Sequence, residues 1–292
     1  MMGEKKLFCF GFGFCAAALA RLLAPQAFRI AGTCRTQERA HELKARGIEA
    51  YLFSDRHPLT PEALEGATHV LASVPPEPDG DPVLAHAWSD LLQAAPHLEW
   101  AGYLSTTGVY GDRGGGWVNE QSSLEPSTDR GERRLRAERG WLAYGVDTGV
   151  PVHLFRLAGI YGPGRTQFRA VADGTAKRVI KPGQVFSRIH VDDVAAILAA
   201  SIAQPRANAA YNVCDDEPAP PQDIIAFCAG LLGLPVPPGT PFGEAVLSPM
   251  ARSFFAENKR VSNRLIREEL GVTLKYPTYR EGLRALYESG DY

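Results

Sequence analysis

Gly11, Gly13 and Ala16 stand at the spacing of a Gly-x-Gly-x-x-small turn. They sit between an apolar run, Lys5 to Phe10, and an alanine- and leucine-rich run, Cys15 to Ala24. A strand passing through two glycines straight into a helix is the context of a dinucleotide-binding turn. Each residue has a physical role in it. Gly11 permits the tight turn, Gly13 lets a pyrophosphate approach the backbone, and Ala16 lets the helix pack close to the strand. The free N–H groups and dipole at the helix start favour phosphate charge there. The competing reading is the bare strand–turn–helix of any α/β protein.

A second candidate for ligand chemistry is Arg35. Phe28 to Cys34 reads as the second strand, and Thr36 is placed to cap the following helix. An NAD site needs a carboxylate at that strand tip for the ribose 2′-hydroxyl. Here Thr33, Cys34, Arg35 and Thr36 offer none, and a guanidinium matches a 2′-phosphate. NADP is therefore expected over NAD, against the alternative of a solvated surface Arg35.

Further strands are expected at Ile48–Phe53, Thr68–Val74, Trp100–Leu104 and Pro151–Leu157, with helices at 81–95, 127–145 and 193–203 between or after them. This alternation argues for a parallel sheet with right-handed crossovers. In such a sheet the strand ends line the cofactor, which brings in Ala72, Ser73 and Val74, with Phe12, Phe14 and Cys15 in the glycine turn. Ser105, Thr106 and Thr107 put hydroxyls at the end of the fifth strand, where catalysis would take place. Asp192 reads as the N-cap of the helix after His190.

The 292 residues suffice for one large domain, or one domain with a lobe; apolar content of 45% and charge of 22% are ordinary for a globular protein. A net charge of −2 gives no footprint for nucleic acid. No apolar run is long enough to span a membrane, and the N-terminal apolar segment reads as a strand, not a signal peptide. Five scattered cysteines without a C-x-x-C pair fit reduced thiols in a cytoplasm. The histidines show no metal-ligand spacing.

Taken together, the Gly11/Gly13/Ala16 turn, Ser105–Gly111, Arg156–Gly164 and His190–Asp193 resemble the extended short-chain dehydrogenase/reductase superfamily, the NAD-dependent epimerase/dehydratase family. Asn258–Asn263 and Tyr276–Leu283 are similar to an atypical branch of it. The resemblance implies an α/β fold: a doubly wound Rossmann-type parallel sheet with a small C-terminal α+β lobe. Residues 1–160 would form the dinucleotide-binding core. Residues 161–292 would be mixed, adding the remaining core elements (about 185–215) and a substrate lobe.

The family's chemistry uses a Ser or Thr, an acid/base Tyr and a Lys that also holds the nicotinamide ribose. By resemblance Thr106 takes the hydroxyl position, but Arg130 stands where Tyr is expected and Arg134 where Lys is expected. Arg keeps its proton at any workable pH, so Arg130 cannot be the acid/base. Arg134 can still hold ribose hydroxyls as a cation. Three readings follow. In the first, an NADP-dependent oxidoreductase, epimerase or dehydratase acts on a carbonyl, alcohol or sugar-nucleotide substrate, with Tyr110 or Tyr161, then Glu120 or His190, supplying the proton. In the second, a non-catalytic NADP(H) sensor works through a regulatory protein partner. In the third, a scaffold has lost its cofactor. The enzyme is the expected case. The substrate-side candidates are Tyr161, Arg165, His190 and Arg260. The run Arg130–Arg139, alternating with Glu132 and Glu138, reads as a solvated helix face. The resemblance also allows a homodimer through helices packed across a two-fold.

Overall fold

The computed structural model describes residues 4–292. Seven strands form one sheet: β1 (Lys5–Phe10), β2 (Phe28–Cys34), β3 (Glu49–Leu52), β4 (His69–Ala72), β5 (Trp100–Thr106), β6 (Val152–Leu157) and β7 (Ala209–Val213). Their order is β7-β6-β5-β4-β1-β2-β3, and every pairing is parallel. The order reverses at β1, so the ends of β1 and β4 diverge there and open a crevice, the ligand position of doubly wound sheets.

The side-chain alternation of β1 shows why both faces are covered. Leu7 and Cys9 join a core with helix α1 (Phe14–Leu23) and the helix Val191–Ala203. Phe8 and Phe10 join the opposite core, with Leu91, Ala137, Trp141 and Tyr144. Successive strand residues point to opposite faces, so a wholly apolar β1 requires helices on both sides. Ile266, Leu270, Val272 and Leu274, late in the chain, return to the first of these cores.

A smaller cluster, with Phe168, Ile224, Ile225, Cys228, Tyr279 and Leu283, builds the lobe. Short parallel pairs tie it to the sheet's C-terminal edge: Gly159–Tyr161 with Arg188–His190, and Trp117–Val118 with Arg260–Val261. Among the described residues no helix is long and apolar enough to cross a membrane, and the cysteines are free thiols.

Two local expectations change. The helix expected over 81–95 is broken at Ala87 (φ −126°, ψ 20°) into Pro82–His86 and Trp88–Ala94. The helix after His190 begins at Val191, and its cap is His190 rather than Asp192, because the His190 Nδ1 accepts the Asp192 N–H at 3.1 Å. An imidazole nitrogen facing the helix start satisfies the orphan donor as a carboxylate oxygen would.

Candidate active site

The carboxyl ends of β1, β4, β5 and β6 open into one cleft of about 920 Å³ that continues into the lobe. At one end lies the glycine turn. Gly11 has φ +82°, and its N–H donates to the Thr33 hydroxyl at 2.8 Å. Its carbonyl accepts the Ser73 hydroxyl at 2.5 Å, which joins β1 to β4. A Cβ on Gly11 would stand 3.0 Å from Ser73 Oγ, so that position excludes side chains on both conformation and space.

Gly13 differs. Its backbone is extended (φ −100°, ψ −158°), it is the N-cap of α1 with no side-chain cap, and a Cβ there would meet nothing within 4 Å. The space in front of Gly13 is therefore open cleft, and the first N–H groups of α1 face it without a capping side chain. Ala16 is fully buried in the helix–strand contact. These are the features a dinucleotide pyrophosphate needs, and the residues present fit it.

Phe14, Cys15 and Ser73 also line the cleft. Burial pushes the Cys15 thiol up to about 11, so it is a thiol at neutral pH. Phe12 instead turns back over Gly32, and Ala72 is wholly buried in the sheet core, so neither side chain reaches the cleft. Val74 packs against that same core. Arg35 is exposed at the tip of β2, without a polar partner among the described residues, and Thr36 caps the next helix (Gln37–Ala45) through the Arg39 N–H.

At the end of β5, Thr106 lines the cleft and accepts the Gly108 N–H at 3.2 Å. That bond uses a lone pair and leaves the hydroxyl proton free to donate to a bound oxygen. The long helix Asp129–Thr148 brings Arg130 and Arg134 to the same wall. The Arg134 guanidinium lies 5.8 Å from the Tyr103 ring centroid and donates to the Leu104 carbonyl, which leaves further N–H groups for a ligand. Arg130 makes no hydrogen bond among the described residues and rests 5.6 Å from the Phe254 ring centroid. Arg165 lies 5.9 Å from that of Phe14, beside the start of α1.

The structure gives several of the candidate residues other roles. Tyr110 does not line the cleft. Its hydroxyl is fully buried, donating to Asn212 at 2.7 Å and accepting from Arg156 at 2.9 Å, and burial pushes its pKa up to about 12. Glu120 is bound to the Asn212 N–H in the same network. His190 is buried between Tyr161 and Tyr276 as a helix cap, and desolvation lowers its pKa to about 4. Arg260 bonds the Gly115 carbonyl outside the cleft. Tyr161 does line the cleft, but its hydroxyl turns towards the Thr278 carbonyl at 3.5 Å, and burial raises its pKa far above the ordinary value. Glu138 is not on a solvated face. It is buried, accepts the Ser105 hydroxyl and pairs with Arg156 at 2.9 Å, which locks the long helix to β5 and β6.

The lobe side of the cleft holds further charged groups. Lys259 is buried and donates to the Gly111 carbonyl (2.7 Å) and to Glu257 (2.5 Å), whose other oxygen accepts from Ser127. Glu257 and Arg188 also line the cleft. Arg188 stands two residues before His190 on the short strand Arg188–His190. The cleft is thus lined by Arg130, Arg134, Arg165, Arg188 and Lys259 against Glu257 alone, a positive site in a chain of net charge −2.

The model of the NAD-dependent epimerase/dehydratase family matches residues 87–214. A solved protein of unknown function from Silicibacter pomeroyi DSS is 52% identical, covering 98% of this chain and 99% of its own, with a TM-score of 0.90. Protein YeeZ of Escherichia coli K12 is 28% identical over 284 residues, 94% of this chain and 97% of that protein. The UDP-glucuronic acid 4-epimerase of Bacillus cereus, solved with NAD, has a TM-score of 0.76 at 17% identity over 97% of this chain and 96% of its own, a likeness of fold. With the glycine turn, the reversed strand order and the cleft at the strand ends, the match over residues 87–214 identifies that stretch with the NAD-dependent epimerase/dehydratase family, and Arg130 and Arg134 stand on its long helix Asp129–Thr148.

Proposed function

We propose that this protein is an NADP(H)-dependent oxidoreductase of the epimerase/dehydratase type, acting on a small carbonyl- or hydroxyl-bearing substrate. The observation that carries the reading is continuity. One cleft joins the open face of Gly13 and the α1 N-terminus to Thr106, Arg134 and the lobe. A pyrophosphate at α1 and a reacting group at Thr106 can share it. A bound nicotinamide would supply or accept hydride.

The chain's own residues do the rest. Gly13 and the first N–H groups of α1 hold the pyrophosphate, with Arg165 beside them as a compensating charge. Arg134 holds ribose hydroxyls from a guanidinium anchored on Leu104. Thr106 donates its hydroxyl proton in a hydrogen bond to the substrate oxygen. Arg130 stabilises negative charge on that oxygen electrostatically, a role compatible with a side chain that never gives up its proton. Tyr110 and His190 are structural in this reading.

Arg35 is assigned to the 2′-phosphate. The support is its exposure at the β2 tip, where no carboxylate is present to receive a 2′-hydroxyl. Calorimetric titration with NADPH, NADP⁺, NADH and NAD⁺ tests both parts. Tight binding of both phosphorylated forms is expected. Arg35→Ala should weaken NADPH about tenfold or more, on the scale of a charge-assisted hydrogen bond, with NADH within twofold. Equal losses remove the 2′-phosphate assignment, and binding of none of the four removes the reading.

A further inference from the structure

We propose that Asp291 and Tyr292 form a strap that holds the cleft loop 162–167, so that Tyr292 is a positioning residue for Arg165. The inference rests on the reading of Arg165 as the charge beside the bound pyrophosphate.

The loop runs from the short strand Gly159–Tyr161 to the helix Phe168–Ala172. Gly164, Arg165, Thr166 and Gln167 line the cleft. The loop is a tight turn: the Arg165 N–H donates to the Gly162 carbonyl at 2.9 Å, and Gly164 has φ +68°. Its inner side packs against the start of α1, since a Cβ on Gly162 would lie 3.1 Å from the Phe14 ring. The Arg165 side chain is exposed and, among the described residues, has no hydrogen bond and no carboxylate within 4 Å. The place of its guanidinium therefore depends on the backbone of the loop.

That backbone is tied from outside. The helix Tyr279–Ser289 ends at Gly290, whose φ of +76° turns the chain back. The Gly290 N–H donates to the Tyr287 carbonyl at 3.3 Å and the Asp291 N–H to the Leu286 carbonyl at 3.2 Å, the two bonds of a Schellman end. This turn presents the Asp291 carbonyl to the loop, where it accepts the Gly164 N–H at 3.2 Å. Tyr292 then stacks on Tyr287, with centroids 5.7 Å apart and planes at 22°, and its ring lies 4.6 Å from that of Phe168. Phe168 is fully buried and is the first residue after the loop. The strap thus grips the loop at Gly164 and again at Phe168, on either side of Arg165 to Gln167.

The ring contacts set the size of the effect. One aromatic contact shifts an equilibrium by roughly two- to tenfold, and Tyr292 makes two. Their loss opens the loop for a larger fraction of the time, and affinity for a ligand that needs the closed loop falls by that fraction. Tyr292 itself is 41% exposed, so its truncation leaves no cavity in the core.

The test compares full-length wild type with Tyr292→Ala, Tyr292→Phe, Arg165→Ala and the Arg165→Ala/Tyr292→Ala pair. Hydrogen–deuterium exchange of the apoprotein is read by mass spectrometry on the peptide over 162–168. It should be about fivefold or more faster in Tyr292→Ala, while Tyr292→Phe keeps the ring and should exchange as wild type does. Calorimetric titration with NADP⁺ should give affinity about threefold or more weaker for Tyr292→Ala, restored in Tyr292→Phe. On the Arg165→Ala background the Tyr292→Ala change should add almost nothing, because the contact it serves is already gone. Unchanged exchange in Tyr292→Ala overturns the strap. A smaller loss of affinity, or the same loss with and without Arg165, overturns its action on Arg165. If wild type binds no NADP⁺, the cofactor reading falls, while exchange on the apoprotein still decides the strap.

Discussion

Replacing Gly13 by Ala separates cofactor recognition from folding. The backbone at 13 is extended and open to any L residue, and the new methyl would meet no protein atom within 4 Å. Alanine is a poorer N-cap than glycine by about 0.5–1 kcal/mol. Lower unfolded-state entropy returns about 0.4–1 kcal/mol. Stability should therefore stay within about 0.5 kcal/mol of wild type, since these two terms cancel. The methyl does fill the space from which a pyrophosphate would approach the α1 N–H groups. Losing two charge-assisted hydrogen bonds at about 1.5–3 kcal/mol each removes roughly 3–6 kcal/mol. That is about a 10²- to 10⁴-fold loss of NADPH affinity. Calorimetry gives the affinity and a urea melt gives the stability. Gly11→Ala is the contrast: at φ +82° and 3.0 Å from Ser73 Oγ it should destabilise the fold itself, by about 1–3 kcal/mol. NADPH affinity of Gly13→Ala within threefold of wild type, at unchanged stability, refutes the placement of the pyrophosphate.

Thr106→Ala should lower turnover by about 10²-fold with cofactor affinity nearly unchanged; an unchanged rate on an identified substrate removes Thr106 from the reaction. Tyr110→Phe strips a buried hydroxyl from Asn212 and Arg156 and should cost about 1–3 kcal/mol in a urea melt. A loss of turnover without a loss of stability would return Tyr110 to catalysis. Stability should fall as pH drops from 6.5 towards 4. Burial lowers His69, His153 and His190 to about 4, so the unfolded chain gains three protons there, and it releases one from Asp215, raised to about 8. These four groups give a net uptake of two protons and a slope of up to about 2.7 kcal/mol per pH unit. Unfolding free energy that is flat over that window contradicts their burial as assigned.

The sequence alone determined the class of fold and the location of the cofactor turn. Both are local: a strand of apolar residues, two glycines and a small residue at fixed spacing impose the turn wherever the chain goes. The strand ranges also followed from local pattern, since Phe28–Cys34 is a strand in both readings. Arg130 and Arg134, at the positions where the resemblance expects Tyr and Lys, do face the cleft. Tertiary structure alone decided which polar side chains reach that cleft. Tyr110 and His190 lie within a few residues of cleft-lining positions, yet one is held by Asn212 and Arg156 and the other caps a helix. Glu138, in a run of alternating charge, turns inward to Arg156, a partner 18 residues away on another element. Arg188 is held by the carbonyls of Phe186 and of Ala219, the latter 31 residues further along the chain. Whether a polar residue is site, cap or buried tie depends on partners distant in sequence and on desolvation, and neither is encoded in its neighbours along the chain.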